Sequence, residues 1–171
     1  MDQFTFTENI NKELFGDKPS LMVELFVISG IANSSEEIRF HGGVNEIKKS
    51  IIFDSKEYFY IPYEGRGFSN KSDGSMIRPS IRLINIGGIF SSYILDKDDL
   101  IGAQVTRIRT FLKFLDGINF YQYSSSPEFW EKKGVNPDPN SKLMDEKWII
   151  NRKTSENKEA IEYELTSPLD L

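Results

Sequence analysis

Apolar and polar side chains alternate with a period of two residues along much of the chain. Leu21, Val23 and Leu25 share one side of the first such segment and a second apolar set fills the other side. This pattern predicts a strand that is buried on one face and nearly buried on the other. Further segments of this kind lie at residues 37–40, 50–53, 57–61, 81–86, 147–152 and 159–166. The turn-forming residues between them favour a sheet sandwich or barrel over alternating βαβ units.

Two short stretches are typical of helices instead. In residues 1–16, Ile10 and Leu14 lie four positions apart and Gly16 follows as a stop signal. Residues 87–101 contain a glycine pair, an apolar run and an acidic end, which indicates a short helix or an irregular segment. We therefore expect an N-terminal helix or arm and one short central helix.

Residues 103–114 fit either a helix or a strand by periodicity alone. Their β-branched side chains favour one long strand. Such a strand places Arg107, Arg109 and Lys113 on one face, opposite Ile108. This basic row is either a solvated sheet face or an interface with an acidic neighbouring subunit, and the sequence favours neither.

The segment 123–141 is polar and rich in proline, which predicts an exposed loop. No repeat, low-complexity tract or strong linker divides the chain. We expect a single domain over residues 1–171 with a mainly β fold, α+β at most. The expected architecture is an antiparallel sandwich or barrel-like sheet that carries the two short helices.

Length and composition are those of an ordinary globular protein. The 171 residues are 39% hydrophobic and 27% charged, a balance that buries a core without covalent staples. The net charge of −5 argues against a nucleic-acid binder, which needs clustered Lys and Arg. Asp2 follows Met1 where a secretory signal would carry basic and then apolar residues, so we expect no such signal. The longest apolar run, at residues 25–32, is too short to span a membrane.

Few residues are candidates for chemistry. The chain has no cysteine and one histidine, so it has no thiolate for a zinc or iron–sulfur site. His41 precedes two glycines, and we expect a turn histidine bonded to backbone rather than a catalytic base. Residues 64–68 lack the Gly-Lys-Ser/Thr of a phosphate loop, and residues 136–147 lack the glycine and glutamate of a calcium loop. We predict no catalytic residue, no cofactor and no metal ligand.

Several phrases, in order along the chain, resemble the minor tail protein L family of lambda-like phages. The resemblance extends from about residue 21 to residue 171 without large gaps. The phrases are RFHGGVNE (39–46), EGRGF (64–68), RPSI (78–81), DLIGA (99–103), VTR (105–107), TFLKFLDGINF (110–120), PDP (137–139), WIINRK (148–153), SEN (155–157) and LTSPLD (165–170).

The resemblance implies a structural component of a phage or prophage tail tip and no reaction. Members of the family lie between the end of the tail tube and the central hub or fibre, where β-domains pack in a ring. We accordingly expect assembly in the host cytoplasm, a place at the virion tail tip, and contacts with the tube-end (distal tail) and hub or fibre proteins. A homo-oligomeric ring, most simply a trimer, is expected in the virion, and the isolated chain is able to stay monomeric. Neither a membrane nor a sequence-specific nucleic acid is an expected partner.

Family members typically continue into a cysteine-rich region that binds an iron–sulfur cluster. Because this chain has no cysteine, we expect that C-terminal domain and its cluster to be absent here.

Five residues within the family phrases are interpreted as fold-defining rather than ligand-binding. Pro79 fixes its own φ and holds Arg78 extended at the start of the next strand. Asp116 and Gly117 form a turn signal at the end of the long strand, and Asn119 is suited to bond local backbone.

The alternative function is a non-catalytic β-sandwich module that binds a surface glycan or another ligand. Exposed aromatic rings would provide its stacking platform. The candidate residues are Tyr121, Tyr123, Phe129 and Trp130.

Overall fold

The predicted mainly β class is confirmed by the computed structural model, which describes residues 8–43, 49–68, 78–120, 126–132 and 134–170. Its helices are α1 (Glu8–Phe15), α2 (Ile89–Ile94) and α3 (Pro127–Lys132), so both predicted short helices are present. The strands are β1 (Met22–Ser29), β2 (Ile38–His41), β3 (Ile51–Phe53), β4 (Lys56–Tyr60), β5 (Tyr63–Arg66), β6 (Ser80–Ile84), β7 (Gln104–Phe111), β8 (Glu146–Glu156) and β9 (Ala160–Thr166).

All nine strands belong to one sheet, in the order β3-β4-β2-β1-β7-β8-β9-β6-β5. The pairs are antiparallel, as expected, except that β2 and β4 run parallel. Strands β4 and β5 follow each other in the chain and are separated only by Ile61 and Pro62. The amide of Ile61 donates to the carbonyl of His41 at 3.0 Å, and the amide of Ile84 donates to the carbonyl of Pro62 at 3.0 Å. The sheet therefore curls until its last strand, β5, meets its second strand, β4, at this covalent corner, which gives a barrel-like shape but not a closed barrel.

Strand β1 explains why the curled sheet has apolar clusters on both sides. Its eight residues pair with all of β7, and its side chains alternate between the two faces. Phe26 and Ile28 pack inside the curl, while Val23 and Leu25 pack on the outside beneath the β3–β4 hairpin. Each of these fully buried side chains contributes about 1.5–3 kcal/mol through removal from water. The prediction of a strand buried on one face and nearly buried on the other is therefore confirmed.

The α2 segment (residues 86–102) packs against the interior cluster. Ile94 and Leu100 are completely buried there, beside Ile28 of β1. The backbone around Leu100 is left-handed at three successive positions, since Asp98, Asp99 and Leu100 have φ of 50°, 52° and 64°. Residues with side chains rarely adopt this conformation in succession, so tertiary packing holds the segment in place.

Three sequence predictions differ from the structure. Strand β7 ends at Phe111, and a 3-10 helix (Leu112–Phe114) follows, so the predicted strand is shorter than residues 103–114. Residues 63–66, which lie between the predicted strands 57–61 and 81–86, form the edge strand β5, and Tyr63 packs against the core. In α1, Ile10 is buried but Leu14 is partly exposed, because the buried face of the helix continues through Glu13 instead.

The segment 123–141 is only partly the exposed loop that the sequence predicts. It contains α3, and its later residues are bound to the rest of the fold. The amides of Asn136 and Asp138 donate to the carbonyls of Lys113 and Phe114 at 2.8 and 3.1 Å. Ser141 is fully buried, and its carbonyl accepts a bond from the Thr110 hydroxyl at 2.6 Å. Polar composition did not reveal these long-range backbone contacts.

Candidate functional site

The side chains of Arg107 and Arg109 belong to an ion network inside one end of the curled sheet. The Arg107 guanidinium binds the carboxylates of Glu24 and Glu146, the latter at 3.1 Å, and Arg109 binds Glu146 at 2.5 Å. Neighbouring strands supply the four residues, because β1, β7 and β8 are adjacent in the sheet. Although burial opposes ionisation, the two carboxylates raise the pKa of Arg107.

Tyr63 closes this network from the opposite side of the curl. Its hydroxyl donates to Glu24 at 2.7 Å, and burial together with this carboxylate raises the pKa of Tyr63. The ring lies against Gly42, where an added Cβ would come within 2.5 Å of it, so only glycine permits the approach. The guanidinium of Arg107 lies 5.2 Å from the ring centre of Phe68. These residues line a cavity of about 370 Å³ that opens at this end of the sheet.

Lys113, the third member of the predicted basic row, lies elsewhere. It belongs to the 3-10 helix after β7 rather than to the strand, so it does not share a face with Arg107. Its ammonium binds the buried carboxylate of Glu13, which also accepts the amide of Ser20 at 2.7 Å. Burial opposes ionisation of Glu13, but these two donors lower its pKa below the ordinary value. Lys113 thus attaches α1 to the sheet.

Each of the three predicted interface cations therefore has a carboxylate partner within the same chain. A pair of this kind, half-buried and hydrogen-bonded, stabilises the fold that contains it. Attraction to an acidic neighbour would require these charges to exchange partners.

Asp116 and Asn119 bind the β3–β4 hairpin in addition to their own turn. The Asp116 carboxylate accepts the amides of Asp54 and Ser55 at 2.9 and 2.8 Å, and these two turn residues have φ of 55° and 59°. The Asn119 side chain accepts the amide of Ile52 at 2.8 Å and donates to its carbonyl at 2.6 Å. We call this arrangement the hairpin clamp. The partners lie 61 to 67 residues apart in the chain, so local sequence could not show them.

Gly117 begins the 3-10 helix Gly117–Phe120 that carries Asn119. Asn119 also donates to the carbonyl of Asp116 at 2.7 Å, which is the local bond that the sequence predicts. The short helix thereby fixes the spacing of the two clamp side chains.

Arg78 and Pro79 immediately precede β6 at the side where β9 pairs with it. The buried Pro79 has no amide to donate, but its carbonyl accepts the amide of Leu165 at 2.7 Å. Arg78 is exposed and lies 3.4 Å from Glu164. Both residues thus connect the start of β6 to β9.

His41 is completely buried at the end of β2. Its Nδ1 accepts the amide of Gly43 at 3.1 Å, so Nε2 carries the proton and donates to the carbonyl of Lys49 at 2.8 Å. Burial lowers the pKa of His41. The prediction of a backbone-bonded turn histidine is confirmed.

The described residues contain no group of three or more His, Asp or Glu side chains that could hold a metal ion. The Asp138 carboxylate, part of the weak calcium pattern, accepts the amide of Asn140 at 3.0 Å and binds the hydroxyl of Ser141. Within the same described ranges, no helix is long and apolar enough to span a membrane.

Sequence reasoning missed an apolar groove at the corner between β4 and β5. The groove holds about 430 Å³ between this corner and α2. Two residues of its walls are well exposed, Phe59 at 57% and Tyr93 at 38%. The alternation at residues 57–61 predicted a strand, but not that α2 would supply a second wall.

Comparison of the sequence with known proteins shows its family. The sequence matches the family model described as Phage minor tail protein L over residues 31–171. The chain belongs to the phage minor tail protein L family. The resemblance predicted from the ordered phrases is thereby confirmed, and the match begins just after β1.

A curated relative gives the same assignment. The chain is 27% identical to the tail tip protein L of Escherichia phage lambda over 106 residues. The alignment covers 62% of this chain and 46% of the lambda protein, so it spans about half the length of that relative.

The part matched by the minor tail protein L family contains the hairpin clamp, the corner groove and both network arginines. The predicted glycan platform also falls within it, but Tyr121 and Tyr123 lie outside the described residues. The side chains of Phe129 and Trp130 are likewise outside them.

Proposed function

We propose that this chain is a non-catalytic structural subunit of a phage tail tip. It packs in a ring between the end of the tail tube and the central hub or fibre and takes part in tail assembly. The observation that carries the proposal is the family match over residues 31–171, together with the similarity to a protein named for the tail tip. Assembly takes place in the host cytoplasm, and the mature location is the virion tail.

The geometry supports a role in packing. Most ionic side chains at the polar end of the curl are paired within the chain, and the single histidine holds backbone. One sheet edge is protected against uncontrolled pairing. Asn119 occupies the outward amide and carbonyl of Ile52 in the edge strand β3. A subunit that meets several neighbours benefits from such protection, because contacts then form through shaped side-chain surfaces.

The cysteine-ligated iron–sulfur cluster implied by the family resemblance does not fit this chain. The sequence has no cysteine, and thiolates are the ligands that such clusters require. The proposed role therefore uses no cofactor.

The test is co-production of the chain with the tail proteins encoded beside its gene, followed by size-exclusion chromatography with light scattering. We expect a complex of fixed stoichiometry with the tube-end or hub protein, and a multiple of this chain within it. Absence of a complex with every one of these proteins, at low and at physiological salt, would contradict the proposal.

A further inference from the structure

The corner groove has the composition of a protein-docking surface. Its walls are chiefly Ile38, Phe59, Ile61, Pro62, Phe90 and Tyr93. The rings of Phe90 and Tyr93 stack with centroids 6.4 Å apart. Exposed aromatic side chains beside a preformed apolar depression are the usual anchors of protein interfaces.

The rim of the groove is acidic. Glu37 lies in its wall, the Glu36 carboxylate binds Tyr93, and Asp96 binds Lys97 beside the Tyr93 ring. Glu57 is exposed two positions before Phe59, on the same face of β4. Two cations lie near these four carboxylates, Arg39 in the wall and Lys97. Both cations are already engaged. Arg39 binds Glu37, and Lys97 binds Asp96 at 3.2 Å while its ammonium lies 4.3 Å from the Tyr93 ring centre. The Glu36 carboxylate accepts the Tyr93 hydroxyl at 2.8 Å and remains exposed.

From this charge pattern we propose that the corner groove docks an apolar segment, flanked by Lys or Arg, of a different protein of the tail. The inference rests on the proposed function, because it assigns a surface to one of the expected tail contacts. Apolar anchors fill the depression, and basic flanks meet Glu36 and Glu57, which complements the excess of two carboxylates on the rim.

The same charges argue against a second copy of this chain as the occupant. A twofold contact through the groove would bring two acidic rims together, and like charges in an interface cost binding energy. The net charge of −5 strengthens this repulsion. A ring of this chain therefore uses other surfaces, and the groove is left for a partner of opposite charge.

The test compares variants in the complex with the tube-end or hub protein described above. Phe59→Ser removes the anchor, and we expect at least about a tenfold loss of affinity. Phe15→Ser is the matched control, because Phe15 is 84% exposed on α1 outside the groove. Glu57→Lys reverses a rim charge and should weaken binding more strongly at low salt. Glu128→Lys, an exposed change on α3, should not. Hydrogen exchange should show new protection at residues 57–62 and 90–94 in the complex.

The outcomes separate the two proposals. A complex that forms with unchanged affinity for Phe59→Ser and no protection at the groove would overturn the inference and leave the structural role intact. Absence of any complex would instead remove the proposed function. Concentration-dependent protection of the groove in the isolated chain would assign it to a second copy and would also overturn the inference.

Discussion

The side-chain amide of Asn119 substitutes for a neighbouring strand. It offers an acceptor and a donor to the outward amide and carbonyl of Ile52, as the backbone of another strand would. Asp116 satisfies the two amides of a hairpin turn whose residues have positive φ. We propose that these two side chains define the fold at this edge, because they connect β7 to a hairpin that is distant in sequence.

Replacing Asp116 by Ala should therefore destabilise the protein. The loss of two charge-assisted bonds at an exposed site should cost about 1–3 kcal/mol of unfolding free energy in chemical denaturation. Asp54→Asn combined with Ser55→Gly, which favours this turn, should recover part of the loss. Asp17→Ala, an exposed aspartate outside the clamp, serves as the control. Equal effects of Asp17→Ala and Asp116→Ala would contradict the clamp.

His41 gives a second test at the level of one residue. Because it is the single histidine, its ring protons can be followed by NMR without assignment. Burial lowers the pKa of His41 from its ordinary 6.5, so the unfolded chain takes up a proton first as pH falls. Stability should therefore decrease as pH drops below about 6.5 through the folded pKa. A titration midpoint at or above the ordinary value would contradict the buried, backbone-bonded ring.

At the scale of elements, α1 is attached through one buried carboxylate. Glu13 has its pKa lowered by Lys113 and by the amide of Ser20 despite the opposing effect of burial. A carboxylate whose pKa is lowered in the folded state stabilises the protein at pH values above its ordinary pKa of 4.5. This stabilisation is lost as the pH falls through the folded pKa. Glu13→Gln should lower stability at neutral pH and flatten the decline below pH 4.5, measured by denaturant titration at several pH values. A decline that is unchanged in the variant would contradict this attachment.

The α2 segment should be sensitive to backbone strain. Gly102 has φ of +81°, and an added Cβ would meet no atom within 4 Å, so substitution there tests conformation without steric clash. Gly102→Ala should cost about 1–2 kcal/mol. Gly102→Asn should cost less, because Asn tolerates the left-handed region. Equal stability of Gly102→Ala and the parent protein would show that the segment relaxes freely.

Sequence patterns predicted elements well and long-range contacts poorly. Period-two alternation found β1 and β9 because their side chains face a core, β-branched side chains favoured the strand at β7, and glycine signals located α2. The patterns could not show that β4 and β5 bend at Pro62 to curl the sheet on itself, because this depends on pairing with β2 and β6. The sequence identified the basic side chains but not the carboxylates that bind them. Arg107 binds residues of β1 and β8, and Lys113 binds a residue of α1. Charge alone does not identify such partners.

At the scale of the whole molecule, the curl of the sheet separates two surfaces. The polar end holds the paired arginines, and the α2 segment, near the opposite end of β1, forms one wall of the corner groove. A subunit of a multi-protein assembly needs distinct surfaces for distinct neighbours. This separation is consistent with one place in a ring and contacts on either side of it.

The central claim is that the chain is a structural component of the tail tip. Immunogold electron microscopy of purified virions, with antibody raised against this chain, tests it most directly. The account predicts gold at the end of the tail distal to the head. Gold along the tail tube or on the head, or particles that bind none while the protein is detected only in unassembled material, would contradict it.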